Sequence, residues 1–217
     1  MHERTCLIIS GGDHNPLPEG LCYDRVIVCD KGLIYAKEMN IEPDVIIGDF
    51  DSLDESLVSD HIAAHSPHMT HVLKFPSHKD DSDTMLAIKE ALKEGYTHIE
   101  IVCALGGRLD HTLANIQSMT YAAEHGAVFC RISGDHDILT VIKDSAFTFI
   151  KKEGYSISVF SLSDRCLNVK ISGSAYDADG IELTNRFPLG LSNEYVSDNV
   201  GISVETGILL VVESRYL

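Results

Sequence analysis

The chain has 217 residues, 44% hydrophobic and 23% charged, enough to bury the core of one large domain or two small ones. Its 33 acidic against 17 basic residues give a net charge of −16, which excludes a sequence-independent grip on nucleic acid or anionic lipid, since both need a basic surface. No stretch approaches the ~20 apolar residues of a membrane span, and the apolar run after the N-terminal Met is too short for a signal peptide. Six cysteines without a C-x-x-C pair, several inside apolar runs, point to reduced thiols in a cytoplasmic protein.

Taken in chain order, "TCLIIS" (5–10), "RVIVCD" (25–30), "DVIIGD" (44–49), "HIEIVCA" (98–104) and "AVFCRIS" (127–133) are short, β-branched and continuously apolar, as buried strands are. Between them, "KGLIYAKEMN", "SDTMLAIKEALKEG" and "DHTLANIQSMTYAAEHG" repeat apolar residues at helical spacing, the last two stopping at Gly95 and Gly126. Strand and helix in alternation predict an α/β domain with a parallel sheet flanked by helices. Past Asp137 the pattern changes. "ILTVIKD", "AFTFIKKEG", "YSISVFSLS", "CLNVKISG", "GISVETG" and "ILLVVES" are strand-like runs broken by Gly, Asp and Ser, which predicts a smaller all-β sandwich. The expected division gives domains at 1–136 and 137–217.

Ligands of open parallel sheets bind beyond the carboxyl ends of the strands, and four polar segments fall there: "CDKG" (29–32), "GDFDS" (48–52), "PSHKDDSDT" (76–84) and "GGRLDHTLAN" (106–115). In "GDFDS", Asp49 and Asp51 can be aimed at one point, as Mg²⁺ requires; the same residues would also serve as a turn and a helix cap. In "KDDSDT", Asp80, Asp81 and Asp83 precede an amphipathic helix. They complement its dipole, with Ser82 or Asp83 as N-cap, yet three carboxylates exceed what a cap needs, and Lys79 beside them suits a phosphate. In "GGRLDH", two glycines allow close backbone approach, Arg108 can clamp phosphate oxygens and Asp110 can reach a metal; a G-G turn is also a common tight connection. His111 at the helix start could cap, bind or do neither. The stretch "SDHIAAHSPHMTHVLKFPSH" puts His61 and His65 at i, i+4, but without H-E-x-x-H or a third ligand it reads as a solvated face.

Together and in this order, these segments resemble the thiamine pyrophosphokinases. The family's Asp–Gly pair after a strand corresponds to "VCDKG", with Lys31 where a glycine is expected, and its Pro–Asp–strand–Asp segment corresponds to "PDVIIGDFDS". "KDDSDT" matches a Lys–Asp, Thr–Asp pattern with Ser82 in place of the threonine, and "GGRLDHTLANI" matches Gly-Gly-Arg-x-Asp-His. In the last third, "GSAY" and then "GLSNEY" (190–195) resemble a Gly-x-x-Tyr segment and a Gly-x-Ser-Asn-Glu loop, so the likeness spans nearly the whole chain.

The resemblance implies a Mg²⁺-dependent transfer of pyrophosphate from ATP to the hydroxyethyl group of thiamine, giving thiamine diphosphate and AMP. It implies a catalytic and metal role for Asp49, Asp51, Asp83 and Asp110. ATP falls to Asp30, Lys79, Asp80, Ser82, Arg108, His111 and Asn115, and thiamine to Ser192 and Asn193, expected in a turn of the C-terminal domain. It further implies a homodimer with thiamine bound between subunits. The chain has no tryptophan, so any stacking on thiamine must use Tyr, Phe or an aliphatic residue. Two rivals share the acidic strand ends. A haloacid-dehalogenase-type phosphatase also carries D-x-D after a strand, although here Ser and Leu follow the second aspartate; a nucleotide or metal sensor would keep the pocket without turnover. Another small-alcohol pyrophosphokinase would differ only in its acceptor.

Overall fold

β-branched runs that alternate with amphipathic helices build the first half of the chain. A computed structural model describes residues 4–49, 70–76 and 81–216. They divide into two compact units, Met1–Ala127 with Ile132–Asp135, and Val128–Arg131 with His136–Leu217.

In the first unit, β1 (Thr5–Ile9), β2 (Arg25–Cys29), β3 (Val45–Gly48), β4 (His71–Lys74) and β5 (His98–Val102) are all parallel, in the order β5-β1-β2-β3-β4. β1, β2, β3 and β5 have no exposed residue, which is why they read as unbroken apolar runs. Beneath them Leu7, Ile9, Val28, Leu33, Ala36 and Ile46 share one core. The chain steps outward from β1 to β4, then returns to place β5 on the other side of β1. That reversal makes the carboxyl ends of β1 and β5 the topological switch point, where open α/β sheets bind ligands.

Three helices cross between the described strands: α1 (Gly32–Glu38), α2 (Asp83–Lys93) and α3 (Leu109–Glu124). α2 buries Thr84, Ala87, Ile88 and Ala91, one face at 3.6-residue spacing. The helices α2 and α3 end at Gly95 and Gly126, as expected, and Tyr96 N–H and Ala127 N–H reach back to Ala91 O and Ala122 O.

The second unit is antiparallel. The division between units passes through β6 (Phe129–Ser133). Beyond it come β7 (Asp137–Lys143), β8 (Ala146–Ile150), β9 (Tyr155–Ser161), β10 (Arg165–Ser172), β11 (Ala178–Thr184), β12 (Gly190–Glu194), β13 (Asn199–Ser203) and β14 (Ile208–Arg215). They pair as β12-β9-β14-β7 and as β11-β10-β13-β8. Phe149, Val159, Val169, Ile202 and Val211 from both groups meet in one core, as in a sandwich.

Three strands escaped the sequence reading. β4 is mostly exposed and lies in the histidine-rich stretch, β11 is interrupted by Asp179–Gly180 and fully buries only Leu183, and β12 carries a register shift. The Ser192–Asn193 pair, expected in a turn, therefore lies on a bulged strand, with Ser192 at φ +56°. His61 and His65 lie outside the described residues. None of the six cysteines forms a disulfide and five are buried, only Cys22 being exposed; burial pushes the Cys6 and Cys103 thiols above their ordinary range. Among the described residues no helix is long and apolar enough to cross a membrane.

Candidate active site

The loops after β1 and β5 are laced together by their backbones. Ser10, Gly12 and Asp13 N–H groups donate to Val102, Cys103 and Leu105 carbonyls at 2.9, 2.7 and 2.9 Å. Gly106 lies at φ +79°, and a Cβ there would overlap the Asp13 carboxylate, so only glycine fits this crossing. The Asp13 side chain thereby lies over the Gly106–Gly107 turn. The sequence reading passed over it; the "SGGD" after the first strand was its one signal.

α2 enters the same end of the sheet. Ser82 caps it, accepting the Met85 N–H at 3.2 Å. The Thr84 hydroxyl meets the Ser10 hydroxyl at 2.7 Å, and the Cys29 thiol donates to Asp83 O at 3.5 Å. Asp83 thus stands beside the end of β2, where half-buried Asp30 takes up φ +45° and donates its N–H to Ile47 O at 2.9 Å. Asp49, also half-buried, follows β3 directly. Asp30, Asp49 and Asp83 therefore share one edge of the sheet. Lys31 adds a positive charge there, its ammonium 5.2 Å from the Tyr35 ring, and the bond to Tyr35 raises its pKa.

Arg108 and Asp110 lie past β5, paired at 2.5 Å and both well exposed. The guanidinium holds the Asp110 carboxyl below the usual carboxylate range, and the His111 N–H, donating at 3.0 Å, lowers it further. An exposed pair of this kind is weakly held, so Arg108 can exchange its carboxylate for a phosphate oxygen. One expected ligand, Asn115, and one neighbouring carboxylate, Asp81, have other work. Asn115 is buried and donates to Ala104 O at 2.7 Å, bracing the strand end that leads into the glycine turn. Asp81 binds Lys89 at 2.7 Å. Asp51, Lys79 and Asp80 lie outside the described residues. Among the described ones no three His, Cys, Asp or Glu groups converge as a metal cluster. The donor chemistry nonetheless fits Mg²⁺: Asp49, Asp83 and Asp110 offer hard carboxylate oxygens at strand and helix ends.

In the second unit a hollow of about 280 Å³ is lined by Tyr176, Ile181, Leu183, Leu189, Leu191 and Asn193 among others. Ser192 is exposed beside it and donates its N–H to the Ser158 hydroxyl at 2.9 Å. Asn193 is buried. Behind this strand, buried Glu213 accepts from Lys152 and from the Tyr195 hydroxyl, both at 2.6 Å. Burial, then the Glu213 carboxylate, pushes the Tyr195 phenol above its ordinary range.

Residues 22–130 match the family model of the thiamin pyrophosphokinase catalytic domain, and residues 144–209 that of the thiamin pyrophosphokinase vitamin B1 binding domain. A thiamine pyrophosphokinase of Bacillus subtilis (strain 168) is 28% identical over 216 residues, 97% of this chain and 99% of that one. The crystal structure of thiamine pyrophosphokinase from Bacillus subtilis superposes with a TM-score of 0.86 at 27% identity, over 99% of this chain and 100% of the other. That of thiamin pyrophosphokinase from Candida albicans, only 14% identical, shares the fold with a TM-score of 0.77 over 98% and 90% of the two chains.

Proposed function

The chain belongs to the thiamin pyrophosphokinase family, and on that premise we propose that it transfers pyrophosphate from ATP to the hydroxyethyl group of thiamine, releasing AMP. What carries this reading is the meeting of acidic groups and an exchangeable arginine at the carboxyl ends of one parallel sheet, in a chain whose other unit matches a vitamin B1 binding domain. Asp49, Asp51, Asp83 and Asp110 would hold Mg²⁺, which when bound neutralises polyphosphate charge and so offsets the repulsion of an acidic protein for ATP. Arg108 and Lys79 take phosphate oxygens, and Asp30, Asp80, Ser82 and His111 complete the nucleotide side. Asn115 serves it from behind, by holding the backbone that leads to Gly106.

The acceptor alcohol attacks the β-phosphorus, giving its proton to one of the site's carboxylates, and AMP departs from the opposite side. Such a transfer depends chiefly on alignment and charge neutralisation, which rigid strand ends supply. Ser192 and Asn193 mark the thiamine side in the second unit. We further assign the enzyme to the cytoplasm as a homodimer with thiamine held between subunits, in keeping with the family resemblance and with its mostly buried thiols, none in a disulfide.

The test is to supply ATP, Mg²⁺ and a panel of alcohol acceptors and to follow AMP. AMP should appear with thiamine, one per thiamine consumed. Free phosphate released from a monoester would identify a phosphatase, AMP with a different alcohol would reassign the acceptor, and ATP binding without turnover would identify a sensor.

A further inference from the structure

Asn193 is only 6% exposed, and its amide is fully used. Oδ1 accepts the N–H groups of Tyr176 at 3.0 Å and Glu194 at 2.9 Å, while Nδ2 donates to Ser174 Oγ at 3.0 Å and Tyr176 O at 2.9 Å. A primary amide has two donor hydrogens and two acceptor lone pairs, so none remains for a ligand. The group it grips is itself braced: Asp177 accepts from Ser174 N–H at 2.9 Å and from its hydroxyl at 3.1 Å, and Ala175 N–H donates to Glu194 O at 3.0 Å. Both backbone polar groups of Tyr176 are thus tied to one side chain, whereas the residue itself is 75% exposed at the hollow. A residue so exposed makes little core contact to hold it in place; what fixes its backbone is the amide of Asn193.

We propose that Asn193 is a positioning residue, holding the 173–177 turn against β12 and so shaping the acceptor hollow without touching the acceptor. The inference rests on thiamine being that acceptor. Ser174 separates the two possibilities, since it is bound to Asn193 but does not line the hollow. Ser174→Ala removes the hydroxyl's bonds to Asn193 and Asp177 and should raise the thiamine KM roughly three- to tenfold, with kcat and the ATP KM within about twofold of wild type. Asn193→Asp, which removes both Nδ2 donors, should move the thiamine KM further in the same direction. The double variant should fall short of the product of the two single effects, because the two changes break a shared bond, leaving only the Ser174 hydroxyl's bond to Asp177 as an independent loss. In Asn193→Ala the Tyr176 and Glu194 amides should exchange hydrogen faster than in wild type, a readout independent of turnover. A wild-type thiamine KM in Ser174→Ala alongside a large loss in Asn193→Asp would mean direct contact and overturn the proposal, as would unchanged exchange at Tyr176. If the wild-type protein releases no AMP with thiamine, the functional reading falls and takes this inference with it; if it does and Ser174→Ala keeps its thiamine KM, this inference falls alone.

Discussion

The two units use polar groups in opposite ways. At the strand ends of the first, Arg108 and Asp110 are exposed and form an ion pair, with the His111 N–H as a further donor to Asp110, and a phosphate can replace the carboxylate on Arg108. In the second, Glu213 is 2% exposed with two partners on one oxygen, and Asn193 has every valence satisfied. Polar groups left exchangeable are available to a ligand; those fully engaged hold a frame. If this contrast is right, changes in the first unit should cost turnover, and changes in the second should cost stability or acceptor affinity.

The largest effect expected is on turnover. Asp51→Asn keeps shape but loses the charge proposed to ligate the metal, and thiamine-dependent AMP release should fall on the order of a thousandfold, about 4 kcal/mol of transition-state stabilisation, with the melting temperature unchanged. Near-normal release at low Mg²⁺ would remove the metal role. Next comes Glu213→Ala, which strands Tyr195 and leaves Lys152 to find water; unfolding by denaturant should show a loss of about 3 kcal/mol. The same cluster sets an alkaline limit. The Tyr195 phenol keeps its proton longer in the fold than in the unfolded chain, so stability should decline as pH rises past the ordinary value of 10.0, and Tyr195→Phe should flatten that decline.

Smaller still is Ser82→Ala, which removes the cap of α2 and should cost about 1 kcal/mol in thermal unfolding. The smallest change is a titration. Asp110, followed by carboxyl NMR, should titrate below the ordinary 3.8 and return towards it in Arg108→Ala. Since its folded pKa is depressed, whatever stability the pair adds is present above 3.8 and disappears as pH falls through the folded value. A normal Asp110 pKa in the intact protein would show that the pair does not persist in solution.

The sequence disclosed what burial and periodicity encode. β1, β2, β3 and β5 are sealed on both faces and read as apolar runs, and α2 and α3 announce themselves by spacing and by their terminal glycines. β11 and β12 gave no such signal, because one is interrupted by Asp179–Gly180 and fully buries only Leu183, and the other is broken by a bulge at Ser192. At the site, the acidic and glycine-rich segments were legible as residue types at strand ends. The direction each side chain takes was not. Asn115 turns inward to Ala104, and Asp13 matters only because Gly106, far along the chain, leaves room for it.

The lacing of β1 to β5 also bears on how the molecule comes to exist. β1 meets β2 within a few tens of residues, Cys6 opposite Arg25, but its other edge stays open until β5 has been made, where Thr5 pairs with His98. That pairing spans the greatest stretch of chain among the described strands of the first unit, and non-local pairing is the slow part of folding. A nascent chain emerging from the ribosome therefore carries an unpaired apolar edge through much of the unit's synthesis, the condition in which strands of neighbouring molecules pair wrongly. The bond from Gly12 N–H to Cys103 O closes only with that last strand, so the switch point of the sheet and the folding barrier belong to the same seam.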